Sequence, residues 1–284
     1  MSYRHSILAT LYPFYRFKNQ VQKSCGLIQT RRLRILLYHD IPPDNVKQFS
    51  QQLHWLSKRW SFISPNLFAK FLSGETQLKE DSLLLTFDDG YSSNLEASVK
   101  VLKPMGIQAL FFVIPQFIET EDKESSHLFI QNNLFPDIKI TSIRDHSRSM
   151  TWKELEQLLE LGHSIGSHTF SHARLSEISD EEVLKKEIIS SGNKIESNLG
   201  MKVDHFAYTF GNLESISPTA LKIAKQRYKY VYSGLRGDNC GVSSFALRRD
   251  SVSPADSLGL VGSFLEGAVD FLYEKSCREL DAWV

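Results

Sequence analysis

Cysteine is scarce: Cys25, Cys240 and Cys277 are the three thiols in 284 residues, odd in number and far apart. That pattern favours neither a disulfide framework nor a cysteine metal site. Net charge is missing as well, because 33 Lys and Arg balance 33 Asp and Glu, so no global field draws the chain to nucleic acid. No run of 18 apolar residues occurs, which argues against a membrane-spanning helix. Internal repeats and low-complexity tracts are absent too.

One absence is local. No acidic residue precedes Asp40, whereas Arg4, Arg16, Lys18, Lys23, Arg31, Arg32 and Arg34 all do, mixed with Tyr3, Ile7, Leu8, Leu11, Tyr12, Phe14, Tyr15 and Phe17. A basic, aromatic segment can lie in a membrane interface, and this one lacks the apolar core and cleavage site of a signal peptide. The expectation is a basic extension over 1–33 that makes peripheral membrane contact, the alternatives being a helix packed on the domain or a disordered arm. The compartment expected is cytoplasmic or peripheral to a membrane.

What is present is a chain with 42% hydrophobic residues, enough to bury the core of one α/β barrel domain over 34–284. Its organising stretch is Leu83-Leu-Leu-Thr-Phe-Asp-Asp-Gly90, an apolar run that ends in two carboxylates and a glycine. Asp-Gly after such a run is also a hairpin signal. The next segment, however, is apolar at 95, 99 and 102, a helical spacing, and a second apolar run follows at 107–114. Strand, helix, strand is the parallel α/β unit, whose chemistry gathers at the C-terminal strand tips.

Similar units recur along the chain. Residues 34–41 read as a strand that ends in Tyr38 and His39 and is stopped by Pro42-Pro43. A helix over 47–60, a strand over 60–63 and a short helix over 65–72 follow. Between 116 and 149 periodicity is lost, which predicts a loop over the site or a mobile insertion. Thr151-x-x-Glu154 is a capping box for a helix that Gly162 ends, and the strand 163–167 delivers His168-Thr-Phe-Ser-His172. Ser179-x-x-Glu182 opens a helix to about 199, a strand spans 203–208, and Ser217-Pro218 starts a helix to 227. Strands over 228–232 and 245–249 and a closing helix over 257–273 complete a mostly parallel sheet, closed rather than open.

Two histidines and a carboxylate at strand tips can make a three-ligand metal site with open positions, and a second carboxylate beside it can accept a proton from water. Thr86-Phe-Asp-Asp-Gly90 and His168-Thr-Phe-Ser-His172, preceded by Met150-Thr-Trp and Gly162-His-Ser-Ile-Gly-Ser167, resemble the first two motifs of the polysaccharide deacetylases, the NodB-homology or carbohydrate esterase 4 family. The resemblance spans roughly 34–250. It implies a distorted (β/α) barrel, a divalent metal and N-deacetylation of an acetylated amino-sugar glycan. By position it implies Asp88 as base and Asp89, His168 and His172 as ligands. Those ligand types suit zinc best.

The third family motif corresponds to Phe206-Ala-Tyr-Thr-Phe-Gly211, which implies Tyr208, Phe210 and Gly211 at the substrate, with the Phe210 backbone N–H facing the oxyanion. Ala207 stands where the family has an arginine that steadies the base. No histidine follows His205, so the usual late histidine acid is missing. The opening Leu36-Leu-Tyr-His-Asp40 resembles the deacetylases of poly-β-1,6-N-acetylglucosamine, where an early histidine supplies the acid, which implies His39. His39 alone among the remaining histidines closes an apolar strand before a proline stop. Alternative readings are an N-deacylase or deformylase of another amino sugar, and an inactive glycan-binding relative.

Overall fold

In the computed structural model, which describes residues 3–27, 31–137 and 139–284, the strands are β1 (Leu33–Tyr38), β2 (Ser61–Phe62), β3 (Ser82–Phe87), β4 (Leu110–Val113), β5 (Ser164–Ser167), β6 (His205–Ala207), β7 (Tyr230–Tyr232) and β8 (Asp250–Ser251). All pair in parallel, in the order β7-β6-β5-β4-β3-β1-β8, with β2 added beside β3. Leu247 bridges Tyr232 of β7 just before β8 pairs with β1, so the 247–251 segment brings the two ends of the curled sheet together. This is the distorted (β/α) barrel expected of a single domain.

The helices are α1 (Tyr3–Ser24), α2 (Val46–Leu56), α3 (Pro65–Leu72), α4 (Ser93–Ala97), α5 (Lys103–Met105), α6 (Pro115–Ile118), α7 (Lys123–Phe129), α8 (Trp152–Glu160), α9 (Glu181–Lys185), α10 (Ser191–Leu199), α11 (Pro218–Arg227), α12 (Leu258–Leu265) and α13 (Glu274–Asp281). Wider i→i+5 turns at Ser98–Leu102, Ile130–Leu134 and Lys186–Ser190 join α4 to α5, extend α7 and join α9 to α10. Among the described residues no helix is long and apolar enough to cross a membrane.

Strand side chains alternate between two apolar layers. Leu33, Ile35, Leu84, Leu110, Phe112, Ala207, Tyr232 and Leu247 fill the barrel interior, closed by Phe68 of α3. Leu36, Tyr38, Leu83, Leu85, Phe87, Phe111, Val113, Ile165 and Phe206 face the surrounding helices. With both faces buried, β1 and β3 are apolar on both faces apart from Arg34, Ser82 and Thr86. Gly166 is required opposite Phe112, since a Cβ there would lie 2.7 Å from its ring.

Several expected elements are revised. The segment 116–149 is largely helical, organised by α6, α7 and a capping box at Asp122 whose serine partner escapes an S/T-x-x-E reading. Asp180, not Ser179, caps α9 by accepting the Glu182 N–H. The strand expected at 245–249 makes only the Leu247 bridge, and regular pairing starts at Asp250, opposite Leu36. The closing helix stops at Leu265, because Gly267 turns left-handed (φ 80°) and Ala268 N–H bonds back to the Ser263 carbonyl, and α13 is a separate helix. The N-terminal extension gives way to β1 already at Leu33, and its helix packs on α12.

Candidate active site

The strand alternation that fills the barrel also aims the chemistry. Interior positions on β1 are odd and those on β3 and β5 even, so His39, Asp88 and His168, one residue past each strand, continue the inward rows. Tyr38 pairs with Phe87 in register and Asp88 N–H bonds to the Tyr38 carbonyl, which sets His39 and Asp88 level at the rim. His168 is fixed likewise by its N–H to the Val113 carbonyl. Leu37, His39, Asp88, Asp89, Leu134, Phe135, His168, His172, Tyr208, Phe210, Gly211 and Arg249 are among the residues that line one cavity of about 200 Å³.

Inside it, Asp89 Oδ1 lies 3.6 Å from His168 Nε2 and 3.7 Å from His172 Nε2. The outer nitrogens are committed elsewhere: His168 Nδ1 is 2.7 Å from the Ala207 carbonyl and His172 Nδ1 is 2.8 Å from the Asn133 carbonyl. A carbonyl can only accept, so each Nδ1 carries a proton, and in the neutral imidazole each Nε2 turns a lone pair towards Asp89. Burial pushes His172 down to about 4, which keeps it neutral at pH 7. Asp89 Oδ1 is buried without a hydrogen-bond partner. Two imidazole lone pairs facing an unsatisfied carboxylate oxygen is a donor set without a donor hydrogen. One divalent cation held by Asp89, His168 and His172 would satisfy all three.

Asp88 sits beside this group and is bound differently. Arg249 reaches it with a two-pronged fork, Nη1 to Oδ1 at 2.6 Å and Nη2 to Oδ2 at 2.9 Å, while Arg249 Nε donates to the Ser233 carbonyl. Burial alone would raise the Asp88 carboxyl, but the Arg249 guanidinium outweighs it and holds the group below the usual carboxylate range. Asp88 is therefore an ionised acceptor, fixed in orientation and 3.7 Å from His168 Nε2.

The backbone here is strained. Asp89 (φ 72°), Thr169 (61°), His172 (67°) and Phe210 (61°) are the non-glycine residues with positive φ among those described, and all belong to the site. Each costs roughly 1–2 kcal/mol and persists only where its surroundings impose it. For the His168–His172 loop the restraint is Glu187, a buried carboxylate that accepts the Phe170 and Ser171 N–H groups and the Ser171 hydroxyl. Asn133 and Glu187 both lie in the widened turns, a feature that recurs at functional sites. Phe210 rests on His172 and under the Arg174 guanidinium. Gly211 (φ 72°) touches Gly234 backbone to backbone; a Cβ would lie 2.6 Å from the Gly234 nitrogen.

Every residue singled out from the sequence, namely His39, Asp88, Asp89, His168, His172, Tyr208, Phe210 and Gly211, comes to this cavity. Three that hold the site were not singled out: Arg249, Asn133 and Glu187. Glu187 had a signal, a carboxylate on the apolar face shared by Leu184 and Ile188. Arg249 had none, since its partner is 161 residues away. A larger groove of about 530 Å³ lies between α4, α7 and α8. Its charges are paired with one another, as Lys100–Glu96, Lys123–Asp145 and Arg148–Glu154.

Comparison with known proteins bears on the family and the fold. The family model described as polysaccharide deacetylase matches residues 75–231. The Bacillus subtilis (strain 168) protein YxkH is 24% identical over 242 residues, 83% of this chain and 76% of its own length. Among solved structures, IcaB from Ammonifex degensii is similar with a TM-score of 0.64 and 22% identity, covering 83% of this chain and 97% of its own. The Streptococcus pyogenes deacetylase PplD, solved in complex with acetate, has a TM-score of 0.64 and 21% identity, covering 82% of this chain and 98% of its own.

Proposed function

Since this chain belongs to the polysaccharide deacetylase family, we propose that it is a metal-dependent hydrolase that removes N-acetyl groups from an N-acetylglucosamine-containing polysaccharide or its lipid-linked precursor. The observation that carries the metal dependence is the unsatisfied Asp89 Oδ1 facing two imidazole Nε2 atoms. A divalent ion there, best zinc for this ligand set, would polarise the acetamide carbonyl and acidify a water.

The remaining steps belong to the chain's own residues. Asp88 takes the proton of the attacking water, and Arg249 keeps its carboxylate ionised and aimed. The Phe210 backbone N–H, at a left-handed turn stiffened by Gly211 and Gly234, donates towards the developing oxyanion. His39, level with Asp88 across the β1–β3 register, protonates the departing amine. A cavity of about 200 Å³ admits one acetamido substituent and leaves the polymer outside. The acetate complex of the Streptococcus pyogenes relative supports the acyl group proposed.

The test is acetate release from acetylated glucosamine oligomers by zinc-loaded protein, abolished by chelator and restored by metal. Asp88→Asn should keep its metal and lose about 10²–10⁴ in turnover, the usual worth of a positioned base. A metal-loaded enzyme that released no acetate from any such oligomer would overturn the reading.

A further inference from the structure

Helix α1 is held to the barrel by one face only. Its partner α12 offers small residues, so the backbones approach closely: a Cβ on Gly259 would lie 2.5 Å from the Ala9 carbonyl oxygen, and one on Gly262 would lie 2.5 Å from the Tyr12 ring. Pro13 has no N–H, so it leaves that Ala9 carbonyl without its helical donor, and the helix is seated at this point. Ser263 Oγ donates to the Leu8 carbonyl, Tyr12 packs on Trp55, and Asn19 Nδ2 bonds Glu266. These contacts settle which face is inward.

The opposite face carries Ile7, Leu11, Phe14, Phe17 and Val21, all exposed, with Phe14 at 61% and Phe17 at 66%. At 100° per residue they form one stripe on the side away from Leu8, Tyr12, Tyr15 and Asn19, and exposed Lys18 lies within it. Lys23 is taken up by Asp81, but the helix also has Arg4, Arg16 and Lys18 and no acidic residue, in a chain whose net charge is zero. An apolar stripe on a purely basic helix is complementary to a bilayer with anionic headgroups.

We propose that the outer face of α1 docks this protein on an anionic membrane surface. The helix lies in the interface without crossing it, and the barrel rides on it through α12. Near the C-terminal end of α1, Lys23 pairs with Asp81, just before β3 begins, so that end of the helix lies towards the rim opposite the site.

The experiment is co-sedimentation of the full chain with phosphatidylcholine vesicles, with and without phosphatidylglycerol. Binding should require the anionic lipid and weaken with salt. Phe14→Ser/Phe17→Ser should lower partitioning by at least about tenfold, with an unchanged thermal midpoint and elution volume. Lys18→Glu, which removes no apolar area, should weaken binding to the anionic vesicles alone. The proposal is overturned by equal binding of wild type and the double-serine variant, by equal binding to both vesicle types, or by no vesicle binding. A double-serine variant that only converts a dimer to a monomer would also overturn it, by making the stripe an interface between copies.

Discussion

Arg249→Leu removes the cation that faces Asp88 and leaves the volume of an aliphatic stem. Asp88 is 2% exposed and Arg249 1%, so the fork is a buried pair. Breaking such a buried pair from one side costs about 3–5 kcal/mol. At this chain length that is a fall of roughly 5–8 °C in Tm. The protein can lessen the cost by protonating Asp88, because burial, which raises the carboxyl, is then opposed only by the lesser attraction of His168 and His39. The two effects share a sign in activity. In the wild type the depressed carboxyl is ionised throughout the neutral range and its stabilisation is lost only as pH falls through the folded-state value. In the variant the acid limb of kcat/KM moves to higher pH, activity at pH 7 falls by about 10² or more, and raising the pH recovers part of it. Arg249→Lys, which keeps the charge and loses the fork, should lie between. Acetate release by zinc-loaded protein across pH, with bound metal measured in parallel, reads all of this. An Arg249→Leu enzyme with full metal, an unmoved acid limb and a near-normal rate would refute the assignment of Arg249 to the base.

Glu187→Gln keeps the size of the group but halves its accepting oxygens against three donors, so the His168–His172 loop should loosen and metal affinity should fall about 10–100-fold, measured by competition with a chelator. His39→Ala should retain metal yet lose most turnover on acetamides while losing far less on an activated aryl ester, and equal losses on both would remove His39 as the acid. His163 accepts the Ala109 N–H through Nδ1, and burial pushes it down to about 4 from the ordinary histidine value. The unfolded chain therefore binds more protons between those values, and about 3 kcal/mol of stability present above pH 6.5 is lost as pH falls towards 4. In urea titrations His163→Gln, which can still accept the N–H, should show a correspondingly smaller acid loss; parallel curves would contradict it.

Elements whose signals are local can be read from the amino-acid order alone. Asp88-Asp89-Gly90 ends an apolar run, Thr151-x-x-Glu154 and Ser217-Pro218 mark helix starts, and His168 and His172 follow a strand; each rests on neighbours within a few residues. That is why β3, α8 and α11 and the three candidate ligands were legible from spacing and resemblance. Tertiary structure decided whatever depends on a distant partner. Ala207 removes the family's arginine from its usual strand, and only closure of the barrel through 247–251 shows Arg249 reaching Asp88 from across the sheet. The strand expected at 245–249 shifted because regular pairing with β1 begins where Asp250 meets the Arg34 fork. The 116–149 segment looked irregular because its helices are short and widened, yet its Asn133 carbonyl orients His172. For α1, composition left a packed helix, a loose arm and a membrane face as alternatives. The contacts with Gly259, Gly262 and Ser263 show a packed helix that still presents an apolar stripe, because a helix seated by one face must leave the other to whatever surrounds it.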